Sequence, residues 1–216
     1  MSDVEAIDQY ISSELNTSAT LLQQIAREAT APIAQAAKLI AARLEAGNKI
    51  MLFGNGGSAA DAQHFAAELV GRYQMERGGL AAIALTTDTS ILTSLGNDFG
   101  FEQVFARQVE ALALPGDVVI GISTSGRSAN VIAGLQTGRA LGVHTIAILG
   151  ANIIGLGGAA DLVISVPSTQ TPRIQEAHAV IIHILCDLVE KFCSRPDDPN
   201  SPTRATADQD ISRDGQ

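Results

Sequence analysis

Apolar residues recur at helical spacing over residues 3–28 (Ile11, Leu15, Leu22, Ile25) and again over 31–46 (Ile33, Ala37, Ile40, Leu44), which predicts two opening helices. Gly47 closes the second, and the apolar run from Lys49 to Phe53 reads as a buried strand. From there strand and helix patterns alternate. A helix over 57–72 precedes a strand near 80–85, and a helical region covers 87–112. A strand over 117–122 leads to a helix over 127–141 and a strand over 143–149. After a short Gly-rich segment come a strand over 161–166 and a long helix over 172–193. Four of the strands are continuous apolar runs, the pattern of a parallel sheet covered on both faces. Alternation with helices of this length implies right-handed crossovers, so the expected fold is a doubly wound, Rossmann-like α/β domain with a five-stranded parallel sheet.

The last helix carries more apolar surface than one face needs. Ile174, Ala177, Ile181, Leu185, Leu188 and Phe192 form one stripe, and Val180, Ile182 and Ile184 widen it. A helix of that kind buries a second side, here expected against a second subunit. The chain divides into an N-terminal helical segment (1–46) that completes the domain, the main α/β body (47–194) and a tail (195–216). The tail is rich in Pro, Asp, Ser, Thr and Arg without apolar periodicity, and reads as disordered.

Composition narrows the function. With 216 residues the chain is long enough for one well-buried domain and short for two. A net charge of −9 argues against general affinity for nucleic acid, which needs Lys and Arg to neutralise phosphates. A small phosphorylated ligand is still compatible, because backbone N–H groups and hydroxyls bind phosphate with little help from net charge. The N-terminus lacks the basic and apolar regions of a secretory leader, and no run reaches membrane-spanning length, so a cytoplasmic protein is expected. Cys186 and Cys193 lie two helical turns apart, roughly 10 Å, beyond the reach of a disulfide. They read as small apolar residues in a reducing compartment.

Four segments carry candidate chemistry. Gly54-Asn55-Gly56-Gly57-Ser58 follows the first strand and opens a helix, where free N–H groups point at a ligand. Ser58 and Asp61 have the spacing of a helix-start signal. Ala59 breaks the dinucleotide pattern, and no Lys follows the glycines as a P-loop requires. Ser123-Thr124-Ser125-Gly126-Arg127-Ser128 again joins a buried strand to a helix. One hydroxyl suffices for capping, so four in six residues favour a phosphate cradle. His64 and Glu68, four apart, share one helix face and suit proton transfer, divalent metal binding or a structural hydrogen bond. The last helix, started by Thr171-Pro172, carries Gln175, Glu176, His178 and His183. His183 projects away from the main stripe, either satisfied in a second interface or catalytic.

Together the stretches GNGGSAADAQHFAAEL (54–69), GNDFGF (96–101), GDVVIGISTSGRSANVI (116–132) and RIQEAHAVIIHILCDLVE (173–190) closely resemble the phosphoheptose isomerases of the sugar isomerase (SIS) domain superfamily. The resemblance covers roughly residues 3–193. It implies an aldose–ketose isomerase that converts sedoheptulose 7-phosphate to D-glycero-D-manno-heptose 7-phosphate through a cis-enediol, feeding nucleotide-activated heptose biosynthesis. By position, it places Asn55, Gly56, Gly57 and Ser58 along the sugar-phosphate site. Ser123, Thr124, Ser125 and Ser128 hold the phosphate, and Asn97 and Asp98 contact the sugar. Glu68 and His183 become the proton-transfer pair. His64, Glu68, Gln175 and His183 match residues that bind zinc in several members, and Glu68 and Gln175 also join the substrate site. The resemblance further implies a homotetramer with active sites at subunit interfaces.

Geometry complicates the ligand set. Gln175 and His183 are eight residues apart, roughly 12 Å along one helix and about 80° around it. Either different subunits supply them or only one binds the metal in a given state. Two positions depart from the family pattern: Arg127 stands where a small neutral residue such as Asn is common, and Pro172 where the family is often polar or acidic. Two rival readings remain at this level. One is a non-catalytic SIS tetramer resembling the factors that associate with the DnaA initiator, which typically lack the equivalents of Glu68 and His183. The other is an SIS isomerase of a different sugar phosphate.

Overall fold

The computed structural model describes residues 3–194 apart from Gly157; the 195–216 tail lies outside the described residues. Helices α1 (Asp3–Glu28) and α2 (Thr30–Glu45) lead into strand β1 (Ile50–Gly54) and helix α3 (Gly57–Val70). The order continues with β2 (Ala82–Ala84), α4 (Thr89–Phe99), α5 (Ala106–Leu112), β3 (Val118–Ser123), α6 (Ala129–Ala140), β4 (His144–Leu149), β5 (Leu162–Ser165) and α7 (Thr171–Cys193). All pairings are parallel, in the order β2-β1-β3-β4-β5.

Alternating side chains of each strand feed two cores. Ile50, Leu52, Val118, Ile120, Ile122, Ile146 and Ile148 face α2, α3 and α7. Met51, Phe53, Val119, Ala147 and Leu149 face α5 and α6. The sheet is thus doubly wound, as the apolar runs predict. The chain leaves β1 toward β2 on one side, then returns to place β3 on the other. The junction of β1 and β3 is therefore the topological switch point, where the carboxyl ends of strands open a crevice.

Three local readings change. The helical region 87–112 is broken into α4 and α5 by Gly100, which adopts φ +83 and starts a 3-10 turn over Phe101–Gln103. Ser58 does not cap α3: the helix begins at Gly57 as expected, but its N-cap is Gly56, and Ser58 is buried in the first turn. Likewise α7 begins at Thr171, with Gln170 as N-cap and Pro172 inside the first turn.

The periodic residues of α1 divide. Ile25 packs into the core, whereas Ile11 and Leu15 are 50% and 67% exposed. Val4, Ile7 and Tyr10 extend this uncovered apolar surface. On α7, Ile182 is buried, and Val180 and Ile184 line an open apolar groove with Leu22, Ile25 and Ile33. Cys186 and Cys193 are free thiols, and burial pushes them up to about 12 and about 11.

His178 is fully buried on α7, its ring facing the Leu149 carbonyl outside hydrogen-bond geometry, so neither nitrogen has a partner. Burial pushes its pKa down to about 4 from the 6.5 of a free imidazole. The unfolded chain therefore takes up this proton first. The stability it costs is absent above the unfolded pKa and grows as pH falls toward the folded one. Between pH 7 and pH 5 this contributes a loss of about 2 kcal/mol. Urea unfolding at both pH values should show that loss, and His178→Leu should remove it while leaving the contribution of the carboxylates.

Candidate active site

The two loops at the switch point are built differently. At the end of β1, Gly54 passes so close to the chain that a Cβ there would lie 2.7 Å from the Ser58 carbonyl and 2.8 Å from that of Ile122. Only glycine lets the chain turn directly into α3, leaving Asn55, Gly56 and Gly57 at the mouth of the crevice. At the end of β3, the Ser123 hydroxyl lies 3.1 Å from that of Ser128 and 3.5 Å from that of Ser125. Ser123 also accepts the Gly126 N–H, and Ser125 accepts the Arg127 N–H (both 3.2 Å). Ser128 is the N-cap residue of α6 but makes no side-chain cap bond, so its hydroxyl remains turned into this cluster. Thr124 is partly exposed at the same turn, and Arg127 is exposed.

A reciprocal amide pair joins the two loops. Asn55 Nδ2 donates to Asn130 Oδ1 (2.8 Å), and Asn130 Nδ2 donates to Asn55 Oδ1 (2.9 Å). Asn130 is buried in the first turn of α6 and was not among the expected site residues. The only sequence signal for it is a polar residue at the start of an otherwise apolar helix turn. Asn130→Ala should let the loops drift apart and raise KM for a phosphorylated substrate about tenfold, a loss of roughly 1.4 kcal/mol. Steady-state kinetics on the folded variant measures it.

The titratable groups stand where α3 and α7 run side by side. His64 Nε2 lies 3.7 Å from Glu68 Oε1, as the four-residue spacing requires. Across the helix interface, His64 Nε2 is 2.9 Å from His183 Nε2, one ring donating and the other accepting according to tautomer. The Tyr73 ring packs on His183 at a tilt, 5.6 Å between centroids. Gln175, two turns nearer the start of α7, lies against Gly57: a Cβ on that residue would fall 2.1 Å from Gln175 Nε2. Within one chain, Gln175 thus meets the start of α3 and His183 its middle. Nearby, Asp61 has one buried carboxylate oxygen without a hydrogen bond, and burial, partly offset by His64, raises its pKa to about 6. Tyr73 carries no distinctive spacing, and that of Asp61 reads only as a helix start, so sequence reasoning misses both as site residues.

Asn97 and Asp98 stand apart from these groups. Both are exposed on α4, and Asn97 Nδ2 donates to Asp98 Oδ1 (2.8 Å). No residue of α4 is buried within the chain.

The donors brought together suit zinc, two imidazoles and a carboxylate, while the Gln175 carboxamide stands two helical turns away at Gly57. Two nitrogens bound to one tetrahedral zinc lie about 3.3 Å apart. The 2.9 Å His64–His183 and 3.7 Å His64–Glu68 separations bracket that value, so each neighbour of His64 stands at a spacing that fits a shared ion. As they stand, no three His, Cys, Asp or Glu groups among the described residues have metal-binding geometry; the pair is a hydrogen-bonded one.

Known proteins resemble the chain over most of its length. The SIS domain pattern matches residues 15–150. A phosphoheptose isomerase of Geobacter sulfurreducens is 56% identical over 181 residues, spanning 84% of this chain and 96% of its own. That of Aquifex aeolicus is 60% identical over 164 residues, 76% of this chain and 86% of its own. The chain belongs to the phosphoheptose isomerase family. The solved phosphoheptose isomerase GmhA of Neisseria gonorrhoeae superposes with a TM-score of 0.81 at 42% identity, covering 86% of this chain and 99% of that one. The doubly wound α/β fold expected from the sequence therefore holds. No described helix is long and apolar enough to cross a membrane.

Proposed function

We propose that the protein interconverts sedoheptulose 7-phosphate and D-glycero-D-manno-heptose 7-phosphate. The observation that carries this reading is a carboxylate and an imidazole, Glu68 and His183, brought together through His64 on the helix that opens at the switch point. The hydroxyls of Ser123, Thr124, Ser125 and Ser128 hold the phosphate, helped by the N-terminus of α6. Asn55, Gly56, Gly57, Ser58 and Gln175 line the sugar, anchored by the Asn55–Asn130 pair.

The chemistry then needs two kinds of proton movement. A base takes a proton from C1 of the ketose, giving a cis-enediol, and a proton returns to C2. A second group moves a proton between O1 and O2, which leaves an aldehyde at C1 and a hydroxyl at C2. A carboxylate and an imidazole suit the two tasks. His64, Glu68 and His183 are the groups that would hold a zinc ion, while Gln175 stands two helical turns away; held by those three, zinc would polarise the carbonyl and stabilise negative charge on the enediolate.

A homotetramer completes the reading. Support comes from the apolar face of α1 left exposed, the absence of any buried residue on α4, and the groove beside Val180 and Ile184. A second subunit on α4 would bring Asn97 and Asp98 toward a neighbour's sugar. Sedimentation equilibrium tests the assembly, and a monomer would remove this part. The two free cysteines fit a cytoplasmic enzyme.

Sugar length is tested by comparing kcat/KM for five-, six- and seven-carbon ketose phosphates. The seven-carbon substrate should lead; a clear preference for another would assign the site to that sugar. The initiator-binding alternative lacks support, because both Glu68 and His183 are present at the site.

A further inference from the structure

Behind the proton-transfer groups lies a buried ion pair that the chemistry above does not use. Glu190 is 1% exposed, one turn from the end of α7, and its carboxylate is fully engaged. Oε1 accepts the Tyr73 N–H (3.0 Å) and Arg77 Nε (2.9 Å), while Oε2 accepts the N–H groups of Gln74 and Met75 (both 2.8 Å). Burial alone pushes this carboxyl up, but these backbone donors and the Arg77 charge outweigh it and hold it below the ordinary range. Arg77 turns its remaining donors on the end of α3: Nη2 to the Glu68 carbonyl (2.8 Å), Nη1 to those of Leu69 (2.9 Å), Gly71 (3.3 Å) and Gly78 (3.0 Å).

We propose that Glu190 and Arg77 are positioning residues for proton transfer. Arg77 closes the carbonyl end of α3 at the peptide of Glu68 itself. Glu190 fixes the turn that presents Tyr73, whose ring packs on His183. Glu190 and His183 lie seven residues apart on α7, hence on one face. One buried carboxylate therefore ties together the backbone of the carboxylate base, the ring that orients the imidazole and the helix that carries it. The phosphate turn after β3 has no part in this network, so the pair acts on the chemical step and not on phosphate binding.

A purely structural ion pair is the alternative, and the inference also rests on the isomerase reading above; the experiment separates all three. Arg77→Lys keeps the charge but cannot reach five acceptors. Glu190→Gln turns an NH2 group on two N–H donors. Tyr73→Ala removes the ring and leaves the pair intact, while Tyr73→Phe restores the ring. Below the unfolding temperature of each variant, kcat should fall at least about tenfold in Arg77→Lys, Glu190→Gln and Tyr73→Ala, the scale of a sub-ångström misplacement. KM should stay within about twofold of wild type, and Tyr73→Phe should recover most of the rate. A lowered melting temperature with unchanged kcat would reduce the pair to a structural one and overturn the proposal. A second readout needs no substrate. The His183 resonance of isotope-labelled protein, assigned with His183→Gln, should move in Arg77→Lys or Glu190→Gln although neither residue touches that ring. An unmoved resonance in whichever of these variants folds overturns the proposal even if wild type turns over no heptose phosphate. A moved one upholds it in that case and leaves only the substrate assignment at fault.

Discussion

Glu68→Gln is expected to lower kcat by at least about a thousandfold while leaving KM for the sugar phosphate within a few-fold of wild type. The amide keeps the size of the carboxylate and can still reach His64, which lies 3.7 Å away, so the α3–α7 interface should be preserved. What it cannot do is accept a proton from carbon. General acid–base groups contribute about a hundredfold to ten-thousandfold each, and a group that serves the C–H proton belongs toward the upper end. The phosphate grip resides on a different loop, hence the unchanged KM. Steady-state kinetics with circular dichroism as a folding control measures this. A large rise in KM with kcat preserved would make Glu68 a binding residue instead.

Gly126→Ala should produce the largest loss on the phosphate side. Gly126 has φ +62, where an L side chain costs roughly 1–2 kcal/mol. A Cβ there would also sit 1.9 Å from the Asn152 carbonyl oxygen, which is backbone and cannot step aside without moving its loop. The turn must open, and the Gly126 N–H to Ser123 bond goes with it. KM is expected to rise more than about tenfold, or stability to fall by about 2 kcal/mol or more if the loop is held elsewhere. Gly56→Ala is the informative comparison. It shares a positive φ of +57, but no protein atom lies within 4 Å of the added carbon, so the backbone clash met at Gly126 is missing. Kinetics and thermal unfolding of both variants should rank them in that order; equal effects would mean that strain alone, not the contact with Asn152, governs the turn.

What the sequence makes legible is what local chemistry encodes. Continuous apolar runs such as Met51–Phe53 and Val118–Ile120 mark buried parallel strands, and glycines or hydroxyls directly after them mark the crevice loops. The four-residue step from His64 to Glu68 places both on one face without further information. Tertiary neighbours are harder to read. Asn55 and Asn130 meet across 75 residues, and His64 meets His183 across 119. Spacing alone does not announce such pairs; for His183 the family resemblance supplied the role. The break after α4 depends on the backbone at Gly100, whereas Gly56 and Gly126 also adopt positive φ without ending a helix. Ile11 and Leu15 have perfect helical spacing yet remain uncovered. Periodicity reports that a face is apolar, not whether the partner is the same chain or another copy.

The central claim, that this site moves protons between adjacent carbons of a heptose phosphate, is tested most directly in deuterium oxide. Purified, zinc-supplemented protein is incubated with sedoheptulose 7-phosphate, and the aldoheptose phosphate is followed by mass and by NMR. The account predicts an aldose carrying solvent deuterium at C2, and no product with Glu68→Gln. No turnover of the ketose by wild-type protein, or equal turnover by Glu68→Gln, would contradict it.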